Sequence, residues 1–188
     1  MTRPRRLVIL GRQGSGKGTQ CLRLVAHYGT VHVSTGDMLR AAIAQGTAMG
    51  KQAKAVMDAG DLVSDQIING IVAERLAKDD IRTHGVLLDG FPRTPVQAEA
   101  LEEFVGPGGL TAAINLEVPV QVVKERMLLR GRADDTPEAI ERRLRLYEQE
   151  TAPLVAWFSA RGLLVVVDGL GSEDEVFQRL VMAIDARG

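Results

Sequence analysis

Cysteine is almost absent from this chain of 188 residues: Cys21 stands alone, so no internal disulfide can form. A reducing, cytoplasmic setting is expected, with Cys21 as a small core residue. Neither sign of charge is in excess. The 23 lysines and arginines nearly balance the 24 aspartates and glutamates, which gives no support for a nucleic-acid or membrane partner. Basic residues therefore matter only where they converge. A long apolar run at the N-terminus is also missing. Arg3, Arg5 and Arg6 precede four apolar residues, 7–10, before Gly11 ends the run, too few for a signal peptide or a membrane span. Internal repeats and low-complexity segments are absent too. The length suits one domain with insertions around a single core, and a monomer is expected.

What is present starts with Gly11-Arg12-Gln13-Gly14-Ser15-Gly16-Lys17-Gly18-Thr19, directly after Leu7-Val8-Ile9-Leu10. A strand that feeds a glycine-rich turn ending in lysine fits the G-x-x-x-x-G-K part of a P-loop. The glycines let successive backbone N–H groups point at an anion, Lys17 adds a positive charge, and the helix that follows adds the positive end of its dipole. Gly14, Ser15, Gly16, Lys17, Gly18 and Thr19 are thus the expected polyphosphate cradle. The competing reading is a glycine-rich turn that holds no ligand. The hydroxyl of Thr19 comes one place later than the strict motif wants, which puts a direct hydroxyl ligand to magnesium in doubt.

Short β-rich apolar runs alternate with longer helical patterns, which predicts an α/β fold with a parallel sheet covered on both faces. Strands are expected at 7–10, 31–34, 86–89, 112–116 and 163–167. About fifty residues separate the second strand from the third, far more than one crossover needs, so a helical lobe is expected near 36–63. Gly46-Thr47 breaks one helix and starts the next, Gly60 ends that one, and Ser64 reads as an N-cap. Thr136 and Pro137 read as the N-cap and first turn of a long helix, to be interrupted near Pro153.

Ligands of open parallel sheets bind beyond the carboxyl ends of the strands, and two further segments fall there. Ser34-Thr35-Gly36-Asp37-Met38-Leu39-Arg40 opens a helix that carries Arg40, which by itself is an ordinary helix start. Asp89-Gly90-Phe91-Pro92-Arg93-Thr94 ends a strand in a carboxylate able to organise magnesium and its waters, or else to cap a turn. Arg126 and Arg130 are four residues apart and share a helix face, with Arg132 just beyond and Arg143 on the next helix. Arg142 and Arg145 read as a solvated face. His27, His32 and His84 fall in no chemical motif and read as structural.

Together and in this order, GRQGSGKGTQ, STGDMLR, DGFPRT with Gln97, RGRADD and IERRLRLY resemble the adenylate kinase family of nucleoside monophosphate kinases over nearly the whole chain. The resemblance implies a five-stranded P-loop core (1–33, 64–129 and 136–188), a monophosphate-binding insertion (34–63) and a short lid (130–135). It implies that Lys17 contacts the phosphates of ATP, with Arg126, Arg130 and Gly171 also on the ATP side. Arg40, Arg93 and Gly90 go with the AMP side, and Arg126, Arg132 and Arg143 converge on the transferred group. Asp134 and Asp135 match the acidic pair that ties lid arginines in place. Mg²⁺ accompanies ATP, held at Asp89 through waters. Thr35 and Gln97 go with adenine in the family, and a glutamine amide can meet both a donor and an acceptor on adenine's edge. Leu62 and Val63 match the base-lining pair, though plain core is equally open. The expected reaction is MgATP + AMP ⇌ 2 ADP. The alternatives are a UMP/CMP kinase of the same family and a non-catalytic adenine nucleotide sensor.

Two departures stand out. Gln13 takes the place of a proline common in the family's loop, and only Gly131 separates Arg130 from Arg132, a very short lid. That lid has no cysteines, so the zinc-bearing lid of some relatives is not expected. Either the arginine helices close the site, or a partner covers it, or some ATP is lost to water.

Overall fold

The computed structural model describes residues 4–106, 109–132 and 134–187; Arg3, Ala133 and Gly188, which fall in stretches interpreted above, lie outside them. Five aliphatic runs form one parallel sheet: β1 (Arg6–Leu10), β2 (Val31–Ser34), β3 (Val86–Asp89), β4 (Ala112–Glu117) and β5 (Leu164–Asp168), in spatial order β2-β3-β1-β4-β5. Two of the five agree with the expected bounds residue for residue, β1 and β4 are each one residue longer at one end, and β5 is shifted by one residue toward the C-terminus.

Both faces of the sheet are covered, as a parallel sheet requires. Leu7 and Ile9 of β1 pack with Cys21 and Leu24 of helix α1 (Lys17–Tyr28) and with Leu180 and Ile184 of helix α10 (Glu173–Asp185). Val8 and Leu10 face the other way. They join Val72 of α4 (Asp65–Leu76), Leu101 of α6 (Pro95–Val105) and Phe158 of α9 (Pro153–Ala160). Each such aliphatic or aromatic side chain, fully buried, stabilises the fold by roughly 1.5–3 kcal/mol.

Between β2 and β3 the chain forms α2 (Thr35–Ala44), α3 (Ala48–Asp58), α4 and α5 (Asp79–His84). The expected punctuation holds at Thr47, whose hydroxyl accepts from the Gly50 N–H (3.0 Å) and donates to the Ala42 carbonyl (3.1 Å). Ser64 stands at the N-cap of α4, but its hydroxyl makes no capping bond. After β4, α7 (Val120–Arg130) packs on α8 (Pro137–Leu146) through Val123, Met127, Ile140 and Leu144. Thr136 caps α8 by accepting from the Ala139 N–H (3.2 Å). The interruption of the long helix begins earlier than Pro153. A π-helical turn, Tyr147–Thr151, separates α8 from α9, and the Ala152 N–H reaches back five residues to the Tyr147 carbonyl (2.7 Å). Proline has no N–H to continue the ladder, and the widened turn absorbs that loss ahead of it.

Candidate active site

Leu10, Ser34 and Asp89 end their strands at the same edge of the sheet, because Ile9 lies beside Asp89 and Ser34 lies beside Asp89 in the two registers. Over that edge opens a cleft of about 640 Å³, inside the range of about 300–1,000 Å³ usual for small-molecule sites.

The first wall is the loop before α1. Gly14 has φ +83°, and a Cβ there would meet the Val123 carbonyl at 2.6 Å, so α7 presses on the loop and only glycine fits. In α1 the Gln20 N–H is the first with a helical partner (Gly16 carbonyl, 3.1 Å), which leaves the amides of Lys17, Gly18 and Thr19 for an anion. Lys17 Nζ donates to the carbonyls of Gly11 (2.6 Å) and Arg12 (2.9 Å), so one of its three donors remains for a ligand. Burial lowers the Lys17 pKa to about 8, against the pull of Asp89, which raises it. Ser15 is buried, its hydroxyl without a hydrogen-bond partner among the described residues.

The second wall comes from β2, α2 and α3. The Ser34 hydroxyl caps α2 through the Asp37 N–H (3.3 Å) and sets Arg40 over Gly36, where it pairs with Asp37. Leu62 and Val63 line the cleft, Val63 almost buried. The Thr35 hydroxyl donates to the Gly90 carbonyl (2.9 Å).

The floor is Asp89-Gly90 with Arg93 and Gln97. Burial pushes the Asp89 carboxyl up, but His32, Lys17 and Arg93 together pull it below the ordinary carboxylate value, so it is ionised at neutral pH. Arg93 Nε donates to the Gly90 carbonyl (2.9 Å), and burial lowers the Arg93 pKa. Gln97 sits in the cleft wall with both ends of its amide engaged: Oε1 accepts from the Arg93 N–H (2.8 Å) and Nε2 donates to Asp65 (2.7 Å). In this conformation the amide braces the Arg93 segment, and a base would have to displace those bonds.

The third wall is α7, the short turn and α8. Arg126 donates to the Ser15 carbonyl (3.3 Å) and so touches the loop itself. Arg130 makes a bidentate pair with Asp135 (2.9 Å twice). Arg143 donates to Asp135 (2.9 Å), to the Met57 carbonyl (3.2 Å) and to Asp134. The Arg132 side chain is exposed at the rim, its pKa lowered by partial burial and by the neighbouring Arg130 and Arg40. Lys17, Arg40, Arg93, Arg126, Arg130, Arg132 and Arg143 therefore line one cleft, although the chain as a whole carries a net charge of only −1.

Three placements differ from expectation. Gly171 lies in the β5–α10 loop, with Glu175 and Arg179 nearest it, and does not line the cleft. Arg142 is not simply solvated: it pairs with Asp61, so α8 reaches across to the loop after α3, where a Cβ on Gly60 would meet the Ala139 carbonyl at 2.7 Å. His32 lines the cleft beside Asp89, whereas His27 packs edge-on against Tyr28 and Phe177, and the exposed His84 contacts the Asp80 carbonyl. Sequence reasoning also overlooked Asp65 and the pairing of Arg12 with Glu148 (2.5 Å), which ties the loop to the π-helical turn. Arg12 sits beside the glycines that drew attention, but its partner lies 136 positions away and leaves no local signal.

This arrangement can hold a polyphosphate on the loop amides and a second phosphate near Arg40 and Arg93, with guanidinium groups between. A hard divalent cation fits the ionised Asp89 carboxylate, which supplies oxygen and leaves room for waters, as magnesium prefers. The order of these parts along the chain matches a family model described as adenylate kinase over residues 9–163. Proteins named adenylate kinase are similar along almost their whole length. The one from Stenotrophomonas maltophilia (strain R551-3) is 49% identical over 185 residues, covering 95% of this chain and 98% of that protein. Those from Xylella fastidiosa (strain 9a5c) and Xanthomonas euvesicatoria pv. vesicatoria (strain 85-10) are each 46% identical over 185 residues, with the same coverage. A sheet edge, loop and arginine wall of this form, matched end to end at that identity, mean that the chain belongs to the adenylate kinase family.

Proposed function

We propose that the protein transfers a phosphoryl group directly between MgATP and AMP, forming 2 ADP reversibly. The observation that carries this reading is the single cleft in which a phosphate-binding loop faces Arg40 and Arg93 while Arg126, Arg132 and Arg143 enter from the side. A protein that only sensed nucleotides would need the loop but not a second phosphate site with cations between. In the proposed organisation one kinase domain, 1–188, comprises a core (1–33, 64–129 and 136–188), a monophosphate-binding insertion (34–63) and a short lid (130–135). No described helix is long and apolar enough to cross a membrane. A lone buried thiol and a cleft built from one chain fit a cytoplasmic monomer.

The residues divide the work by chemistry. The loop amides and Lys17 hold the β- and γ-phosphates of ATP, while Arg40 and Arg93 hold the AMP phosphate, whose dianion is already a nucleophile at neutral pH. Arg126, Arg132 and Arg143 stabilise the charge that spreads over the equatorial oxygens as the group moves. Asp89 would hold, through waters, the magnesium ion that accompanies ATP, and that ion would supply charge neutralisation to the phosphate oxygens. No general base is needed. Thr35, Leu62, Val63 and Gln97 surround the AMP base, with Gln97 exchanging its bond to Asp65 for one to adenine. The contacts of α8 with Gly60, Asp61 and Met57 support closure of the site by the arginine helix itself.

Incubating the enzyme with ATP and each of AMP, UMP, CMP and GMP tests the assignment. ADP formation with AMP is expected to exceed the pyrimidine reactions by roughly 10²-fold or more in kcat/KM, because a hydrogen-bonding pocket is left unpaired by the wrong base. A pyrimidine preference would sink the AMP reading, and tight binding without turnover would favour the sensor. ATP hydrolysis without AMP is expected to stay slow if α8 closes the site.

The pH profile gives a second check. Lys17 is protonated below about 8 in the free enzyme and loses its charge above that value. The kcat/KM for MgATP therefore falls about tenfold per pH unit above 8, whereas kcat holds to higher pH, since bound phosphate raises the ammonium pKa. A flat kcat/KM up to pH 10 contradicts the role given to Lys17.

A further inference from the structure

Behind the floor of the cleft lies a group that phosphoryl transfer does not use as a unit. Cys21, His32 and Asp89 offer a thiol sulfur, an imidazole nitrogen and a carboxylate oxygen, all within 4.8 Å of one another. The register explains their meeting. His32 pairs with Leu87, and Asp89 stands two residues further along β3 on the same face, the one on which Cys21 packs with Leu87. His32 Nε2 is buried, lacks a hydrogen-bond partner among the described residues and stands 3.7 Å from Asp89 Oδ2, too far for a hydrogen bond. A buried ring nitrogen left in that state is costly unless something occupies it. His32 and Asp89 line the cleft, and Cys21 is fully buried behind them, so a small ion entering from the cleft meets all three.

We infer that Cys21, His32 and Asp89 form a binding site for a thiophilic divalent cation of the zinc and cadmium class, and that occupancy inhibits phosphoryl transfer. One sulfur, one nitrogen and one oxygen are three of the four ligands of a tetrahedral zinc centre, with the fourth position left to water from the cleft. Bond lengths of about 2.0–2.3 Å require the three atoms to draw together by roughly 1 Å, which side-chain rotation supplies. Binding exchanges the S–H bond of Cys21 for a sulfur–metal bond and releases the proton to solvent. Burial and the Asp89 charge hold the thiol above its ordinary range, so an unbound Cys21 stays protonated. Magnesium, a hard ion, gains nothing from sulfur and does not compete for the thiol. Inhibition follows because the ion takes the carboxylate that orients the magnesium waters, a step that rests on the role proposed for Asp89 above.

The test begins with the full-length chain alone, reduced and free of nucleotide, titrated with Co²⁺ or Cd²⁺. An ultraviolet thiolate-to-metal charge-transfer band is expected at one equivalent, at longer wavelength for Co²⁺ than for Cd²⁺, and since Cys21 is the only cysteine it can come from no other residue. Cys21→Ser and Cys21→Ala abolish the band, with the second variant guarding against a misplaced hydroxyl in the core. His32→Gln weakens affinity about tenfold or more. Zn²⁺ is then titrated into the MgATP and AMP reaction. Cys21→Ala keeps the basal rate and needs at least about tenfold more Zn²⁺ for half-inhibition than the native chain does. Absence of a thiolate band, or a band whose affinity ignores His32→Gln, overturns the site. A band with unaltered catalysis keeps the site and overturns the inhibition, and with it the Asp89 role.

Discussion

Replacing Lys17 by Met is expected to lower the rate of ADP formation by about 10³–10⁴-fold, equivalent to roughly 4–5.5 kcal/mol of transition-state stabilisation, while the protein still folds. The methionine keeps the volume and removes the cation. The cost to structure is small, because the carbonyls of Gly11 and Arg12 lose a donor at the edge of a cleft that water reaches. A compensating gain also exists. Burial disfavours the ammonium form in the native state, so the folded pKa is depressed, to about 8. Below that value both states carry the proton and the native state bears the full cost of the buried charge; as pH rises toward the unfolded pKa the cost disappears. Lys17→Met removes it at neutral pH, so Tm is expected to hold or rise at pH 7. Wild-type turnover in this variant would refute the catalytic role, and a collapse of Tm would make the role structural.

The parts of this site that the sequence makes legible are those encoded locally. The glycine spacing of 11–19 and the carboxylate ending 86–89 each carry their meaning within a few residues, and strand ends place both at one edge. The shared face of Arg126 and Arg130 is legible from their spacing, but their convergence with Arg143 depends on the short apolar seam through which α7 and α8 pack. What stayed hidden depends on register and on side chains meeting across elements. His32 has no motif of its own. Only the pairing of β2 with β3 puts it on the same face as Asp89 and over Cys21. Gln97 reads as a base-recognising amide, and the structure adds that Asp65 and the Arg93 N–H already hold it. A charged residue on a helix, such as Arg142, reads as solvated until the loop that carries Asp61 is brought against it.

The same cross-element contacts bear on the short lid. With one glycine between Arg130 and Arg132, the turn is too small to cover a cleft of this size by itself. Asp135 takes over part of that task. Its side chain is wholly covered and binds both Arg130 and Arg143, so the end of α7 and the start of α8 are clamped at an angle that sends arginines inward. Arg143 passes the clamp on to the Met57 carbonyl, which joins the arginine wall to the end of α3. These bonds, with the pairing of Arg142 and Asp61, tie α8 to the end of α3, so the closure proposed above rests on the arginine helix and not on a large lid.

Arg143→Met tests that arrangement and is expected to cut kcat by about 10³-fold, in the lower part of the range for removing a transition-state arginine. It is also expected to destabilise the fold by about 3 kcal/mol, because Asp134 and Asp135 lose a buried cation. Arg130 still holds Asp135, which keeps the loss from being larger. Burial raises the Asp135 pKa, while Arg130 and Arg143 bring it below the ordinary carboxylate value. That contribution to stability is present above the unfolded carboxylate pKa and is lost as pH falls through the native one. The stability gap between native protein and Arg143→Met should therefore be full at pH 7 and close in acid. Arg143→Lys separates the two roles. It restores the charge and part of the stability, but a point charge cannot span Asp134, Asp135 and a phosphate with a planar fork, so kcat stays low. In an Asp135→Asn background the Arg143→Met loss of stability shrinks, a non-additivity that a double-mutant cycle in denaturant reads directly. If Arg143→Met retains kcat within tenfold of the native value, the arginine is a structural strut and the transferred group is stabilised by Arg93, Arg126 and Arg132 alone.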